Sequence, residues 1–394
     1  MSLEGIFGEG VDRIGGEPIG ARMARRAPIR HIDFSLLLAT VLLALYGAAM
    51  IYTATAVKLE RAGGDPNAFV TRQSLYILAG SVFMVLLVLF DYRHLKSFAP
   101  VVYGIMTILL IAVLTPLGEV RNGTQGWFDF GFFDVQPAEL AKVVAIVAAG
   151  VYLGERKGDV RWTDVGMTLA IVGVPAVLIF VQPDLGTMMV FVAFTAGMLL
   201  IGGARLRHFA VLALTALVAV LAVFQAGLLK EYQIERLTSF LDPNPDIRTV
   251  GYNLTQSKIA IGSGGMRGKG IRSDDTQTSL DFVPEQHTDF IFTAVGEQLG
   301  FIGSATLLGL FALLIWRALR IAAMSRDMFG TLLAAGIASM WAFQVFLNVG
   351  MTMGIMPITG VPLPFMSYGG SSMVANFIAV GLLMNVHMRR FLRS

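Results

Sequence analysis

Ten apolar runs constrain this 394-residue chain more than any other feature. They fall at about 34–55, 74–90, 99–115, 138–153, 165–181, 185–201, 209–229, 290–316, 330–350 and 372–388. A hydrocarbon core about 30 Å thick takes roughly 20 helical residues to cross. Inside it every backbone N–H and C=O must be satisfied within the protein, so runs of this length read as helices. The run at 138–153 is the most polar, because it holds Glu139 and Lys142. The expected fold is an all-α polytopic membrane protein with about ten transmembrane helices and a large external loop between helices 7 and 8. Residues 1–33 read as a polar cytoplasmic tail. Residues 34–394 read as a single ten-helix membrane domain that includes the external loop 230–289.

Charge is scarce and unevenly placed. The chain has 30 Lys and Arg and 27 Asp and Glu, where a soluble chain of this length would carry about 98 charged residues. With the N-terminus in the cytoplasm, 18 Lys and Arg fall in cytoplasmic segments and 11 in external ones, seven of the latter in the long loop. Long loops count little in the positive-inside rule, so both termini are expected in the cytoplasm and the long loop outside. The net charge of +3 is too small to suggest nucleic acid as a partner. The absence of cysteine excludes disulfides and a thiolate nucleophile, and five histidines with no His-x-x-x-His pair give little support to a histidine metal site. No internal repeat signals an inverted-repeat transporter.

The remaining polar residues are those a mere anchor would not need. The segment 230–289 holds two partly apolar stretches, Tyr252–Leu254 and Lys258–Gly262, and is expected to fold onto the membrane surface. Its stretch Gly262–Gly270 has the look of a phosphate loop. It fails the Walker A pattern at Ser263 and Gly270, and a plain turn is an equal reading. In the run His287-Thr288-Asp289, Thr288 or Asp289 suits a helix N-cap, and Asp289 equally suits a carboxylate facing an outer cavity. Glu297 lies two turns deeper, where an acid needs a partner or marks a pathway. Glu139 and Lys142 stand at i and i+3, either as a self-neutralising pair or as a surface patch where Lys142 meets an anionic lipid headgroup. Asp184 suits the cap of a tight hairpin. The loop from Pro357 to Ser372, with Ser367, reads as a cavity wall.

Six segments carry a resemblance. They are Trp127–Lys142 (WFDFGFFDVQPAELAK), Gln182–Thr187 (QPDLGT), Phe240–Pro243 (FLDP), Gly251–Gly270 (GYNLTQSKIAIGSGGMRGKG), Val283–Gly303 (VPEQHTDFIFTAVGEQLGFIG) and Asn348–Ser372 (NVGMTMGIMPITGVPLPFMSYGGSS). Together they resemble the SEDS family (shape, elongation, division and sporulation), and its elongation members more than its division members. The resemblance implies a peptidoglycan glycosyltransferase of the bacterial cytoplasmic membrane. Such an enzyme polymerises lipid II, a disaccharide-pentapeptide on undecaprenyl diphosphate, beside a class B penicillin-binding protein that supplies the transpeptidase. It places the family's essential Asp at Asp289, and its other motif residues at Glu139, Lys142 and Asp184. Gly126 and Gln286 stand where the family often has Arg, so a contact from either place does not carry over. Arg121 or a cation of the long loop is the substitute to look for.

The chemistry then assigns roles. A sugar 4-hydroxyl attacks an anomeric carbon with inversion, and Asp289 is expected to be its general base. Lys142, Lys269 or a divalent cation such as Mg2+ would meet the departing diphosphate. Glu139, Asp184, Glu297 and Ser367 complete the expected substrate-binding set, and the metal requirement stays open. The competing reading is a flippase that moves lipid II and leaves it monomeric.

Overall fold

A computed structural model describes residues 31–121, 123–131, 133–156, 159–225, 250–271, 276–278, 282 and 285–390. Most of the expected tail, the FLDP segment and much of the long loop lie outside these residues. The helices are α1 (Phe34–Arg61), α2 (Ala68–Leu89), α3 (Leu95–Ala112), α4 (Pro137–Gly154), α5 (Trp162–Val181), α6 (Leu185–Ile201), α7 (Leu206–Gln225), α8 (Val250–Gly264), α9 (Ile291–Met324), α10 (Met328–Met353) and α11 (Gly370–Arg389). Eight of them are long and apolar enough to cross a membrane, and α6 and the described start of α7 are shorter apolar helices. These ten coincide with the ten apolar runs. The chain is a multi-pass membrane protein.

Local chemistry sets the helix ends. Asp33 caps α1 by accepting from the Leu36 N–H at 3.1 Å, and Asp327 caps α10 by accepting from Gly330. Helix α10 ends at Gly354, which takes the left-handed conformation at φ 76°. Helices α10 and α11 form the buried centre, with α10 packed on α4, α6 and α9, and α11 on α2. Helices α2 and α3 turn Leu78, Val82, Phe83, Val101, Ile105 and Ile108 outward. Apolar surface so extensive suits lipid, not water. At one end of the bundle the Asp33 carboxylate accepts from Arg317 of α9, which ties α1 to α9, and His387 Nδ1 of α11 lies 3.7 Å away.

Two features go beyond the all-α expectation. Between α3 and α4 the chain forms a three-stranded antiparallel sheet: β1 (Glu119–Arg121), β2 (Thr124–Asp129) and β3 (Asp134–Val135). Arg121 pairs with Thr124, and Gly123 between them takes φ 84°. Asn-Gly flanked by strands is the strongest short hairpin signal, so the sequence did carry this element. Within the expected external loop, both apolar stretches belong to helix α8. It does not lie on a membrane surface alone but packs on α9 and α10, where Ser257 donates to the Thr352 carbonyl at 2.8 Å and shares a 2.6 Å hydrogen bond with Thr293.

The glycine-rich stretch after α8 has a structural use that corrects both earlier readings. Helix α9 is interrupted at Gly300, at φ 65° and ψ −158°. An unbroken helix would pair Phe301 N–H with Glu297 O and Ile302 N–H with Gln298 O. Instead Phe301 N donates to Gly265 O (2.9 Å) and Ile302 N to Met266 O (3.2 Å), while Lys269 N and Gly270 N donate to Glu297 O (3.0 Å) and Gln298 O (3.1 Å). The loop is spliced into the broken ladder, so all four groups are satisfied, as a membrane protein requires. The approach leaves no room for a side chain: a Cβ on Gly268 would sit 2.2 Å from Gln298 O, and one on Gly300 2.4 Å from Gly268 N.

Candidate active site

A cavity of about 500 Å³ opens at the end of the bundle opposite the Asp33–Arg317 pair. Its walls come from distant parts of the chain: Tyr76 of α2, Arg121, Thr124 and Trp127 of the sheet, Asp134 and Gln136 before α4, Asp184 at the α5–α6 turn, the turn 285–289, and the loop between α10 and α11. Asp289 and Asp184 are the two expected site residues that line it.

The backbone around Asp289 is held from three sides. Asn348 of α10 donates through Nδ2 to Asp289 O at 2.9 Å and to Val361 O at 2.8 Å. Ser367 Oγ donates to Thr288 O at 2.5 Å and accepts from the Leu363 N–H at 2.8 Å. Tyr368 N donates to His287 O at 2.8 Å. Phe69, His287 and Tyr368 pack as a ring cluster beside this turn. The helix-capping reading of Thr288 and Asp289 does not hold. Phe290 occupies the cap position of α9 with no side-chain bond, and Thr288 Oγ1 donates back to Glu285. Ser367 therefore positions the Asp289 turn, and it is buried outside the cavity lining.

Asp184 forms the expected cap of α6, accepting from Thr187 N–H at 2.9 Å, and stands in the cavity wall. Desolvation raises its carboxyl above the ordinary carboxylate value, opposed by the hydrogen bonds from Thr187. Smaller contributions come from Glu139, which raises it, and Lys142, which lowers it, so this pair lies within electrostatic reach.

Glu139 and Lys142 pair at 2.8 Å and are almost fully buried, at 1% and 2% exposure. The expected surface patch meeting lipid headgroups is not what forms. Glu139 Oε2 is buried without a hydrogen-bond partner. Removing one member of a buried pair costs about 3–5 kcal/mol because the other charge is stranded. Lys142→Ala is expected to lower thermal stability by about that amount. Adding Glu139→Gln should restore much of the melting temperature, and melting curves of the single and double variants check this.

Lys269 and Glu297 meet each other, away from the cavity walls. Glu297 is fully buried and accepts from Lys269 Nζ (3.0 Å), Gln277 N (2.6 Å), Thr278 N (3.0 Å) and Thr278 Oγ1 (2.7 Å). Its partners anchor the segment after the splice.

Arg121 carries the one Lys or Arg side chain among the described residues lining the cavity. Its Nη1 donates to Asp134 Oδ2 at 2.5 Å, Nη2 to Asp134 Oδ1 at 3.1 Å, and Nε to Glu119 Oε2 at 2.8 Å. The Asp134 hydrogen bond, then Glu119, raise its pKa, so it stays charged. The role of Asp134 depends on the sheet, in which β1 and β3 flank β2 and bring Asp134 to Arg121. Ser371 Oγ accepts from Gln136 N at 2.8 Å and ties the sheet to α11. Among the described residues no group of three or more His, Asp or Glu is gathered closely enough to hold a metal ion.

Comparison with known proteins agrees with this architecture. The family model of the FtsW, RodA and SpoVE cell cycle proteins matches residues 34–391. The chain belongs to this family. Stage V sporulation protein E of Bacillus subtilis is 38% identical over 90% of this chain and 96% of its own length. The peptidoglycan glycosyltransferase MrdB of Escherichia coli K12 is 37% identical over 92% and 95%. Among solved structures, a chain of a peptidoglycan synthase complex that coordinates polymerization and crosslinking superposes with a TM-score of 0.77. It is 30% identical and covers 92% of this chain and 99% of its own. The rod shape determining protein RodA of Thermus thermophilus gives a TM-score of 0.67 at 28% identity, covering 92% and 98%.

Proposed function

We propose that the cavity is the active site of this chain and that it faces the outside of the cell, with both termini in the cytoplasm. The chain is a peptidoglycan glycosyltransferase that builds glycan strands from lipid II for cell elongation and rod shape. It acts in the bacterial cytoplasmic membrane beside a class B penicillin-binding protein. The relatives' names support the activity, and the synthase complex among the similar structures supports the partner. The orientation rests on the Lys and Arg asymmetry and on the cavity's place opposite the Asp33–Arg317 end.

One observation carries the site assignment: Asp289 and Arg121, a carboxylate and a permanent cation from distant elements, line one cavity at the end of a membrane bundle. In the reaction the sugar 4-oxygen forms a bond to the anomeric carbon as the bond from that carbon to the diphosphate oxygen breaks. Asp289 takes the proton of the attacking hydroxyl. The diphosphate leaves with the bonding pair, and Arg121 meets its charge. The contacts to Asp134 and Glu119 leave one Nη1 donor of the guanidinium for that purpose. Lys142 and Lys269, each held by a buried carboxylate, take the supporting places. The lipid tail explains why the site borders the bilayer.

Kinetics of Arg121 variants test this reading. Arg121→Ala is expected to raise the KM for lipid II about tenfold or more, with Arg121→Lys in between. Asp134→Asn breaks the same pin of the sheet but keeps the cation, and should disturb KM far less. Equal effects of Arg121→Ala and Asp134→Asn would reduce Arg121 to a structural pin.

A further inference from the structure

A second concavity lies on the flank of the bundle, between α1 and α9. It is a groove of about 370 Å³ lined by Tyr46, Arg267, Leu299, Ile302, Gly303 and Thr306. It shares no lining residue with the active-site cavity. Its depth follows from α9. Gly303 stands about 20 Å along the helix from Arg317, which pairs with Asp33 at the start of α1. Measured against a core of about 30 Å, the groove lies in the half of the bilayer nearer the active-site end. Phe301 and Ile302 are exposed on its α9 wall, and Met266 and Ile271 are exposed on the loop beside it. Tyr46 donates to Gly303 O at 3.1 Å and closes the floor.

The anomaly is Arg267. It is an exposed guanidinium at the edge of a membrane-facing apolar groove, and among the described residues it makes no ion pair and no side-chain hydrogen bond. It is also the single charge of the groove lining. A cation this near the outer boundary reaches the layer where lipid phosphates lie. One cation matches one phosphodiester charge, whereas a diphosphate would leave excess negative charge with no second cation to meet it. We propose that the groove between α1 and α9 is a binding site for a membrane phospholipid, whose phosphodiester is held by Arg267 and whose acyl chain lies along Ile302 and Thr306. Arg267 belongs to the loop spliced into the α9 break, so the bound lipid also braces that splice.

The experiment is native mass spectrometry of the purified full-length protein with three separate probes: dioleoyl phosphatidylglycerol, dioleoylglycerol and undecaprenyl phosphate. Wild type is expected to retain one phosphatidylglycerol about tenfold better than Arg267→Gln, with Arg267→Lys in between. Thr306→Trp, which fills the groove and keeps the cation, should lose the lipid as well. Phosphatidylglycerol should raise the melting temperature of wild type but not of Arg267→Gln. Equal retention by wild type and Arg267→Gln, or equal retention of dioleoylglycerol, would overturn the site. Displacement of phosphatidylglycerol by equimolar undecaprenyl phosphate would overturn the assignment of its occupant.

Discussion

Replacing Asp289 with Asn is expected to leave the protein folded and inserted while removing glycan synthesis. The substitution conserves shape, and the contacts that hold this turn act on backbone carbonyls: Asn348 on Asp289 O, Ser367 on Thr288 O and Tyr368 N on His287 O. Phe290, not Asp289, holds the cap position of α9. What disappears is the capacity to take a proton. A positioned general base contributes about 10²- to 10⁴-fold, so turnover should fall by at least about 10²-fold with melting temperature nearly unchanged. Gel analysis of glycan length and a melting curve of the same preparation check both halves. Turnover within a factor of about two of wild type would remove the base assignment.

The second large effect is expected at Glu297, through a different mechanism. Its two carboxylate oxygens receive four donors, two of them backbone N–H groups of the segment after the splice. Glu297→Ala strands those donors in a buried place, at a cost of about 3–5 kcal/mol. The segment around Gln277 and Thr278 should detach, and with it the support for the broken helix that begins two residues after Asp289. Loss of activity should therefore come with a lowered melting temperature and rapid proteolysis near Thr278. Glu297→Gln, which keeps one acceptor oxygen, should fall between. A Glu297→Ala protein with wild-type melting and protease resistance would show that this carboxylate is not the anchor.

These two residues mark what a linear reading can and cannot deliver. Asp289, singled out by the resemblance of its local string, stands in the cavity wall, though spacing alone leaves it equally a helix cap. The helices were legible because lipid demands long apolar stretches, and α1, α5 and α10 lie within a few residues of their apolar runs or extend them by a turn or two. Glu297 was suspected as a buried acid, yet its partners come from a loop about 20 residues earlier, and pattern alone does not pair them. The Gly262–Gly270 stretch fails the phosphate-loop pattern, but its use depends on a break at Gly300, which sequence periodicity does not reveal. Arg121 is one of the substitute cations the sequence offers, but its partner Asp134 emerges only when β1 and β3 flank β2. Helix α8 escaped notice because its apolar residues alternate with Asn253, Thr255, Ser257 and Lys258, a pattern that burial against α9 resolves.

The account stands on the claim that this chain, at this cavity, joins lipid II units itself. The most direct measurement incubates the purified protein with lipid II in detergent, alone and with a class B penicillin-binding protein, and resolves products by size. A ladder of glycans from the wild-type chain, absent when residue 289 is Asn, is the predicted result. Lipid II that stays monomeric under both conditions with a correctly folded wild-type protein would contradict it.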